Sequence, residues 1–442
     1  MMLRYYFELA FRSLRRNVLL TALMTAAVGV GIGASMTTLT TLVAMSANPI
    51  PDKSSQLFIP QIDLTGYASQ HHDVSSLARD LSYRDAMALM RARLGSRQTA
   101  MYPVQLTVNP PQGGRFQKIG RATYADFFAM FEVPFRSGAA WRASEDKERA
   151  NVVVVSSSLA DRLFPGREAV GRTINLGKRD YRITGVLQPW TPIPRFYDVT
   201  YNGSRGAFAE PEDFYLPFTL AIDRQIDTDE FGCDPMARVA WVGRLSSNCT
   251  WIQFWVELPD AAYVRGFTNF LSGYAVEQRK LGRLSWVPLT ALHDVMEWLA
   301  LQHVVPEETR VDSMIAGGFL VVCLINAVGL ILAKFSARAG ELSVRRALGA
   351  SRSDLFRQCL AETAIVGLFG GLLGLALTAA GLSALRALRG VSAHSVTGRL
   401  TSLNPEMALI TLVVALIATV GAGLYPALRA SRVQPGWQLK SQ

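Results

Sequence analysis

The sequence is short of charge, short of cysteine, and lacks a glycine loop for nucleotide phosphates. Charged residues make up 18% of its 442 positions, and half are hydrophobic. A soluble domain usually carries about a quarter charged. No GxxxxGK[ST] sequence occurs. Gly177-Lys178 lacks the upstream glycine, so nothing in this stretch of chain holds Mg-ATP in the usual way. Metal-ligand spacing is missing too. His71-His72-Asp73 has no further ligands at useful distance and reads as a solvated loop. Asp227–Gly232 half resembles a calcium loop, but it has phenylalanine at the third ligand position and no glutamate at the twelfth. Ser156–Ser158 reads as a helix cap before it reads as a nucleophile. These absences leave no catalytic constellation, no metal site and no cofactor bound by this chain.

What is present is apolar sequence in membrane-length blocks. Val18–Met45, Met314–Ala333, Thr363–Leu385 and Met407–Pro426 contain no Lys, Arg, Asp or Glu. Each is about the length needed to cross ~30 Å of hydrocarbon. The first is too long for a signal-peptide core of ~7–15 residues and is expected to remain as a helix. The expected organisation is an amphipathic surface helix at 1–17 and a first span at 18–45. A large α+β domain follows at 46–312, then a second span at 313–333. A polar segment at 334–362, a third span at 363–385, a short loop at 386–405, a fourth span at 406–426 and a tail at 427–442 complete the chain. The fold class is therefore a membrane protein of four transmembrane helices, with a large α+β extracytoplasmic domain inserted between helices 1 and 2.

The net charge of +10 is not evenly spread. Segment 1–17 has four basic residues against one acidic, 334–362 has six against three, and the tail has three basic residues and no acid. The inserted domain nearly balances, with 29 basic and 30 acidic residues. Four spans put the three basic segments on one side, which the positive-inside rule makes cytoplasmic. Both termini then lie inside, although Arg386, Arg389 and Arg399 on the short outer loop pull the other way. The excess charge is explained by topology and contact with membrane lipids, not by nucleic acid.

Of four cysteines, Cys323 and Cys359 fall in or beside spans, while Cys233 and Cys249 fall in the inserted domain. A bridge between the latter two is permitted outside the cytoplasm. It would close a loop of about 16 residues, worth roughly 3 kcal/mol; the alternative is two separate buried thiols. In the same domain, residues 152–187 read as strand Val152–Val155, helix Ser157–Leu163, a Pro165-Gly166 turn, and strands Thr173–Leu176 and Tyr181–Val186. Further on, Trp251–Leu258 reads as a strand, Ala261–Gly282 as a helix, and Leu284–Leu289 as a strand. Ala291–Asp312 reads as a helix broken at Pro306, and Pro189–Met236 shows no clear pattern.

The polar segment 334–362 reads as a helix over Ser336–Leu348, a stop at Gly349, and a new helix capped by Ser351 with Asp354 three residues on. In the third span, Gly367/Gly371 and Gly370/Gly374 form overlapping GxxxG pairs, which let helices approach closely in lipid. Gly29, Gly31 and Gly33 are expected to weaken or bend the first span.

The run "ELSVRRALGASRSDLFRQCLAETAIVGLFGGLLG" at 341–374 resembles the signature segment of MacB-type (FtsX-like, type VII) ABC transporter permeases. The ending "GAGLYPALRASRVQPGWQLK" is similar to the same family's ending, and 152–187 is similar to its periplasmic core domain. The resemblance implies a subunit of the bacterial inner membrane that transmits the motion of a cytoplasmic ABC ATPase, which alone binds ATP and Mg. Members pair as homodimers or heterodimers. By this resemblance Glu341–Ala347 is the coupling helix that docks on the ATPase. Glu341, Ser343, Val344, Arg345, Arg346, Leu348, Gly349, Ala350, Ser351 and Asp354 form the coupling region. Arg345 and Arg346 would reach acceptors on the partner, Glu341 a basic group, and Gly349 with Ser351 would set the angle to the third span. Family members that are full-length carry their own ATPase, so the missing nucleotide loop implies a separate ATPase polypeptide and a non-enzymatic permease.

Three functions follow from that resemblance. The leading one is export of a periplasmic substrate, such as a peptide or antibiotic, with a MacA-like adaptor and a TolC-like outer-membrane duct. The others are release of lipoproteins from the membrane, and signal transmission to a cell-wall hydrolase or sensor.

Overall fold

The computed structural model describes residues 17–110, 113–199, 206–228, 232, 240–388, 396, 398 and 405–431. All but the last residue of the expected surface helix, most of the short loop and tail, the centre of the acidic loop and Cys233 lie outside the described residues. The chain divides into a membrane unit, Met1–Ser46 with Val305–Gln442, and an inserted unit, Ala47–Val304.

Among the described residues of the membrane unit, four helices are long and apolar enough to cross a bilayer: Val18–Ser46, Glu307–Ala337, Arg352–Leu388 and Pro405–Ser431. They are called spans 1 to 4 below. Span 4 opens on Pro405, whose fixed φ suits a first helical position. Span 1 runs through its three glycines without a break. The glycines serve close packing. A Cβ on Gly29 would lie 2.8 Å from Leu373, one on Gly33 2.7 Å from Leu377, and one on Gly31 2.8 Å from Cys323. Hydroxyls tie the spans together where no water is available. Ser35 Oγ donates to Ala316 O at 2.7 Å, and Thr378 Oγ1 lies 2.8 Å from Gly374 O and 3.4 Å from Gly33 O.

The inserted unit is built on one mixed sheet. Its strands are β1 Leu57–Ile62, β2 Leu81–Ser82, β3 Arg97–Val108, β4 Phe116–Thr123, β5 Phe135–Gly138 and β6 Val152–Val155. They continue with β7 Thr173–Leu176, β8 Arg179–Leu187, β9 Phe214–Pro217, β10 Thr250–Glu257 and β11 Thr290–Asp294. The spatial order is β11-β1-β10-β3-β4-β9-β6-β8-β5, with β2 on β10 and β7 on β3 and β8. The long strand β3 joins the two halves. Residues 97–101 pair with β10 and residues 102–108 with β4.

Each face of the sheet carries its own core, and strand alternation divides the side chains between them. In β6, Val153 and Val155 enter one core while Val152 and Val154 enter the other. A four-valine run therefore belongs to a strand covered on both sides. Helix Ser157–Leu163 starts as expected, with Ser156 Oγ accepting from Leu159 N at 3.2 Å. Strands β7, β8 and β10 and the helix Ala261–Lys280 fall where their residues predict.

Two expectations fail. Leu284–Leu289 is not a strand: Pro288 cannot donate to a ladder, and Trp286 turns inward, its Nε1 donating to Asp63 O at 3.2 Å. The strand is β11, just beyond it. The expected helix from Ala291 begins only at Val295, behind a capping box formed by Asp294 and Glu297. It ends at Leu301, and Pro306 precedes span 2.

A charged cluster is buried inside the inserted unit. Arg121 is fully buried and bonds Glu212 at 2.7 Å, with Asp198 and Gln253 as further partners. Arg195 reaches Asp198 and Glu212 at 3.3 and 3.4 Å. Burial opposes ionisation of Glu212, but Arg121 and Arg195 outweigh it and hold the carboxyl down at about 2. Cys249 is disulfide-bonded; its expected partner Cys233 is not among the described residues.

Candidate functional site

Span 2 ends at Ala337, and the chain breaks helical geometry at Arg338 before the short helix Ala339–Ala347. The expected helix from Ser336 thus starts three residues late, because Ser336 and Ala337 still belong to span 2. The short helix stops in a Schellman arrangement. Ala350 N donates to Arg345 O and Gly349 N to Arg346 O, both at 3.1 Å. Gly349 has φ +102°, a conformation that a Cβ would strain. Two residues later Ser351 and Asp354 cap the next helix reciprocally: Asp354 N donates to Ser351 Oγ at 3.1 Å, and Ser351 N to Asp354 Oδ2 at 3.2 Å. That helix, Arg352–Leu388, runs unbroken as span 3.

The short helix has two faces. Leu342 and Ser343 point inward. Leu342 joins an apolar cluster with Met24, Phe335, Leu355 and Ala427, which brings in residues of all four spans. Ser343 is buried and donates to Ala339 O at 2.8 Å, which removes it from the expected docking face. Val344 and Leu348 are 57% and 82% exposed, and Ala347 is exposed beside them. The three form an apolar outer strip.

Between the faces runs a chain of ion pairs. Lys334 Nζ of span 2 contacts Glu362 Oε2 of span 3 at 3.1 Å, and Arg338 Nη1 contacts Glu362 Oε1 at 3.0 Å. Arg338 Nη2 then contacts Glu341 Oε1, which also takes Arg345 Nη2, each at 3.2 Å. Arg345 Nη1 donates to Gln358 Oε1 at 3.2 Å. Glu362 and Lys334 are 3% and 2% exposed. Burial opposes the charge on Arg338, but Glu362 and Glu341 outweigh it and raise its pKa. One carboxylate, Glu362, thus ties the end of span 2 to the start of span 3, and Arg338 carries the tie to the short helix. Glu341 and Arg345, expected to reach a partner, also take part in this internal chain. Each keeps about a third of its side chain exposed.

The GxxxG pairs also divide. A Cβ on Gly370 would lie 2.7 Å from Val28 and one on Gly374 2.8 Å from Ile32, so this pair faces span 1. A Cβ on Gly371 would lie 2.9 Å from Ala415, and one on Gly367 would strike Thr419, so that pair faces span 4. Span 3 is therefore the packed centre of the bundle. Among the described residues, no group of three His, Cys, Asp or Glu side chains is placed to hold a metal.

Residues 21–267 match the MacB-like periplasmic core domain, and residues 313–435 match the FtsX-like permease C-terminal domain. The chain belongs to the MacB-like, FtsX-type permease family of ABC transporters. The second match contains the whole joint from Lys334 to Glu362. Among the relatives of this MacB-like permease is the macrolide export ATP-binding/permease protein MacB of Bdellovibrio bacteriovorus, 25% identical over 67% of this chain and 40% of that protein. The protein of the same name from Agrobacterium fabrum is 24% identical over 70% of this chain and 41% of its own. The chain thus spans about two fifths of the length of these relatives. The crystal structure of the periplasmic region of MacB from Actinobacillus actinomycetemcomitans aligns with 56% of this chain and 92% of its own, at 11% identity and a TM-score of 0.36.

Lys334, Arg338, Gln358 and Glu362 were not singled out by sequence. A local signal was available: Lys334 closes one apolar run and Glu362 immediately precedes the next.

Proposed function

We propose that this permease carries motion from a separate cytoplasmic ABC ATPase to its periplasmic-type domain, and so exports a substrate collected outside the inner membrane. The carrying observation is the Glu362 joint. A rigid body pressed on the Val344–Leu348 strip moves a helix that is ion-paired, capped and apolar-packed onto spans 2 and 3, so displacement reaches the bundle with little slack. In this reading both termini are cytoplasmic, two permeases pair, and ATP and Mg sit on the partner. A MacA-like adaptor and a TolC-like duct complete the route.

The test is affinity purification from native membranes in mild detergent, with mass spectrometry of what comes along. An ABC ATPase and an adaptor are expected to co-purify. Val344→Glu with Leu348→Glu is expected to lose the ATPase, whereas Glu362→Gln keeps it bound but lowers ATP-driven export at least about tenfold. Absence of any ATPase overturns the docking role. An ATPase found with a lipoprotein carrier or a hydrolase, and no adaptor, overturns export.

A further inference from the structure

A cleft of about 760 Å³ opens in the inserted unit between the helix Tyr83–Ala92, the start of β3 and the helix Ala143–Glu148. That is the size of an ordinary small-molecule site. Tyr83, Met87, Met90 and Arg91 recur at helical spacing and line one wall, and Tyr124 faces them. Tyr124 OH lies 3.8 Å from Met87 Sδ. The ring of Tyr124 stacks on Phe218 at 5.2 Å between centroids, and Tyr83 stacks on the same ring at 6.4 Å. The aromatic surface is therefore held in place, while the two methionines can adapt to the shape of a guest.

The rim is cationic on both sides. Arg91 and Arg93 stand on one and Lys147 on the other, all exposed, and none has a carboxylate partner among the described residues. Arg97 is already paired with Glu257 at 3.0 Å. Two carboxylates also line the cleft: Asp126 is exposed and accepts Gln98 N at 3.3 Å, while Asp146 is buried, taking Trp141 Nε1 at 2.7 Å and Ala125 N at 3.0 Å. The exposed rim thus sets three cations against one carboxylate.

We propose that this cleft binds an amphipathic organic anion, with an apolar or aromatic body against Tyr83, Met87, Met90 and Tyr124 and its anionic group between Arg91, Arg93 and Lys147. Macrolides appear in the names of two relatives; those that bear an amino sugar are cationic near neutral pH, and this rim repels such a group. That the bound molecule is also cargo rests on the export reading; binding itself needs no ATPase.

The test uses the full chain in lipid nanodiscs and three probes sharing one fluorophore: dansyl-phenylalanine (anionic), its neutral amide, and dansylcadaverine (cationic). Emission is read against empty nanodiscs. Dansyl-phenylalanine is expected to bind about tenfold tighter than dansylcadaverine, from two or three exposed charge contacts. Arg91→Glu with Lys147→Glu, both on exposed positions, is expected to reverse the order. Met87→Trp, which fills the cleft, is expected to weaken all three probes. Equal affinity for the three probes overturns the proposal, as does an anion preference that survives the charge reversal. A chain that binds dansyl-phenylalanine but recruits no ATPase fails the export reading alone; one that recruits the ATPase but shows no charge preference fails this one alone.

Discussion

The two ionic networks of this chain, one in the inserted unit and one at the edge of the membrane helices, are built from the same residue types and differ in closure. Around Arg121 every charged member is between 0 and 4% exposed; Arg121 sits on β4, its partner Gln253 on β10, and Arg195, Asp198 and Glu212 lie outside the strands. Around Glu362 the exposure rises stepwise, from 3% at Glu362 through 13% at Arg338 to about a third at Glu341 and Arg345. A closed network locks geometry, because removing one charge strands its partner away from water. A graded network has a buried anchor and a wet end, where an arriving partner exchanges contacts at little cost. Under the proposed function, the first would suit a domain that moves as a body and the second the place where movement enters.

The comparison breaks most sharply at Glu212. Glu212→Ala leaves Arg121 and Arg195 buried with half their counter-charge, and is expected to destabilise the inserted unit by roughly 3–5 kcal/mol. Urea unfolding of the full chain, followed through the buried Trp251, Trp255 and Trp298, reads this directly. An unchanged midpoint would mean the closed network does not lock the sheet.

A second, smaller effect is expected with pH. The Glu212 carboxyl is held at about 2, below its ordinary 4.5, so its contribution is present above about 4.5 and lost as pH falls toward 2. Asp80 and Asp146 act in the opposite sense. Burial and the nearby Asp198 push Asp80 up to about 7, and burial pushes Asp146 up to about 6. Their folded forms hold protons more tightly than the unfolded chain, so stability rises as pH falls through these values. The same tryptophan signal is expected to give a maximum at about pH 3.5–4, where the proton uptake of Glu212 and of the two aspartates balances, with falling stability on both sides. A maximum above pH 7 would contradict the assignment of these groups.

The smallest effect sharpens the wet end. Arg345→Ala is expected to cost less than about 1 kcal/mol in bundle stability, since a third of its side chain is exposed. A cost comparable with that of Glu212→Ala, in thermal unfolding of the nanodisc-embedded chain, would show the joint to be closed as well.

Local features were legible in the sequence, and pairings across distance were not. The four spans, the Gly349 stop and the Ser351–Asp354 cap each depend on residues within one or two turns, so spacing revealed them. The valines of β6 were legible because a fully apolar run suits a strand covered on both faces. By contrast, the Lys334–Glu362 pair joins positions 28 residues apart, and each residue alone reads as an ordinary boundary charge. Arg345 was expected to reach a partner by resemblance to the family's coupling helix; its i,i+4 pair with Glu341 was not considered, although that spacing brings the two side chains together. The glycine pairs of span 3 were visible, but their division between spans 1 and 4 depends on where two other helices pack. Strand β11 was missed because Thr290, His293 and Asp294 are polar and all its residues are only half-buried.

Span 3 is one helix of 37 residues. At 1.5 Å per residue it measures about 55 Å, nearly twice the thickness of the hydrocarbon it crosses. Under the proposed function it would act as a lever as well as a wall. A tilt of about 10° about its midpoint displaces each end by roughly 5 Å, close to one helical turn. A stroke of that size at the Ser351 end moves its contacts on by a full row of side chains, and the unbroken rod delivers an equal and opposite stroke at Leu388.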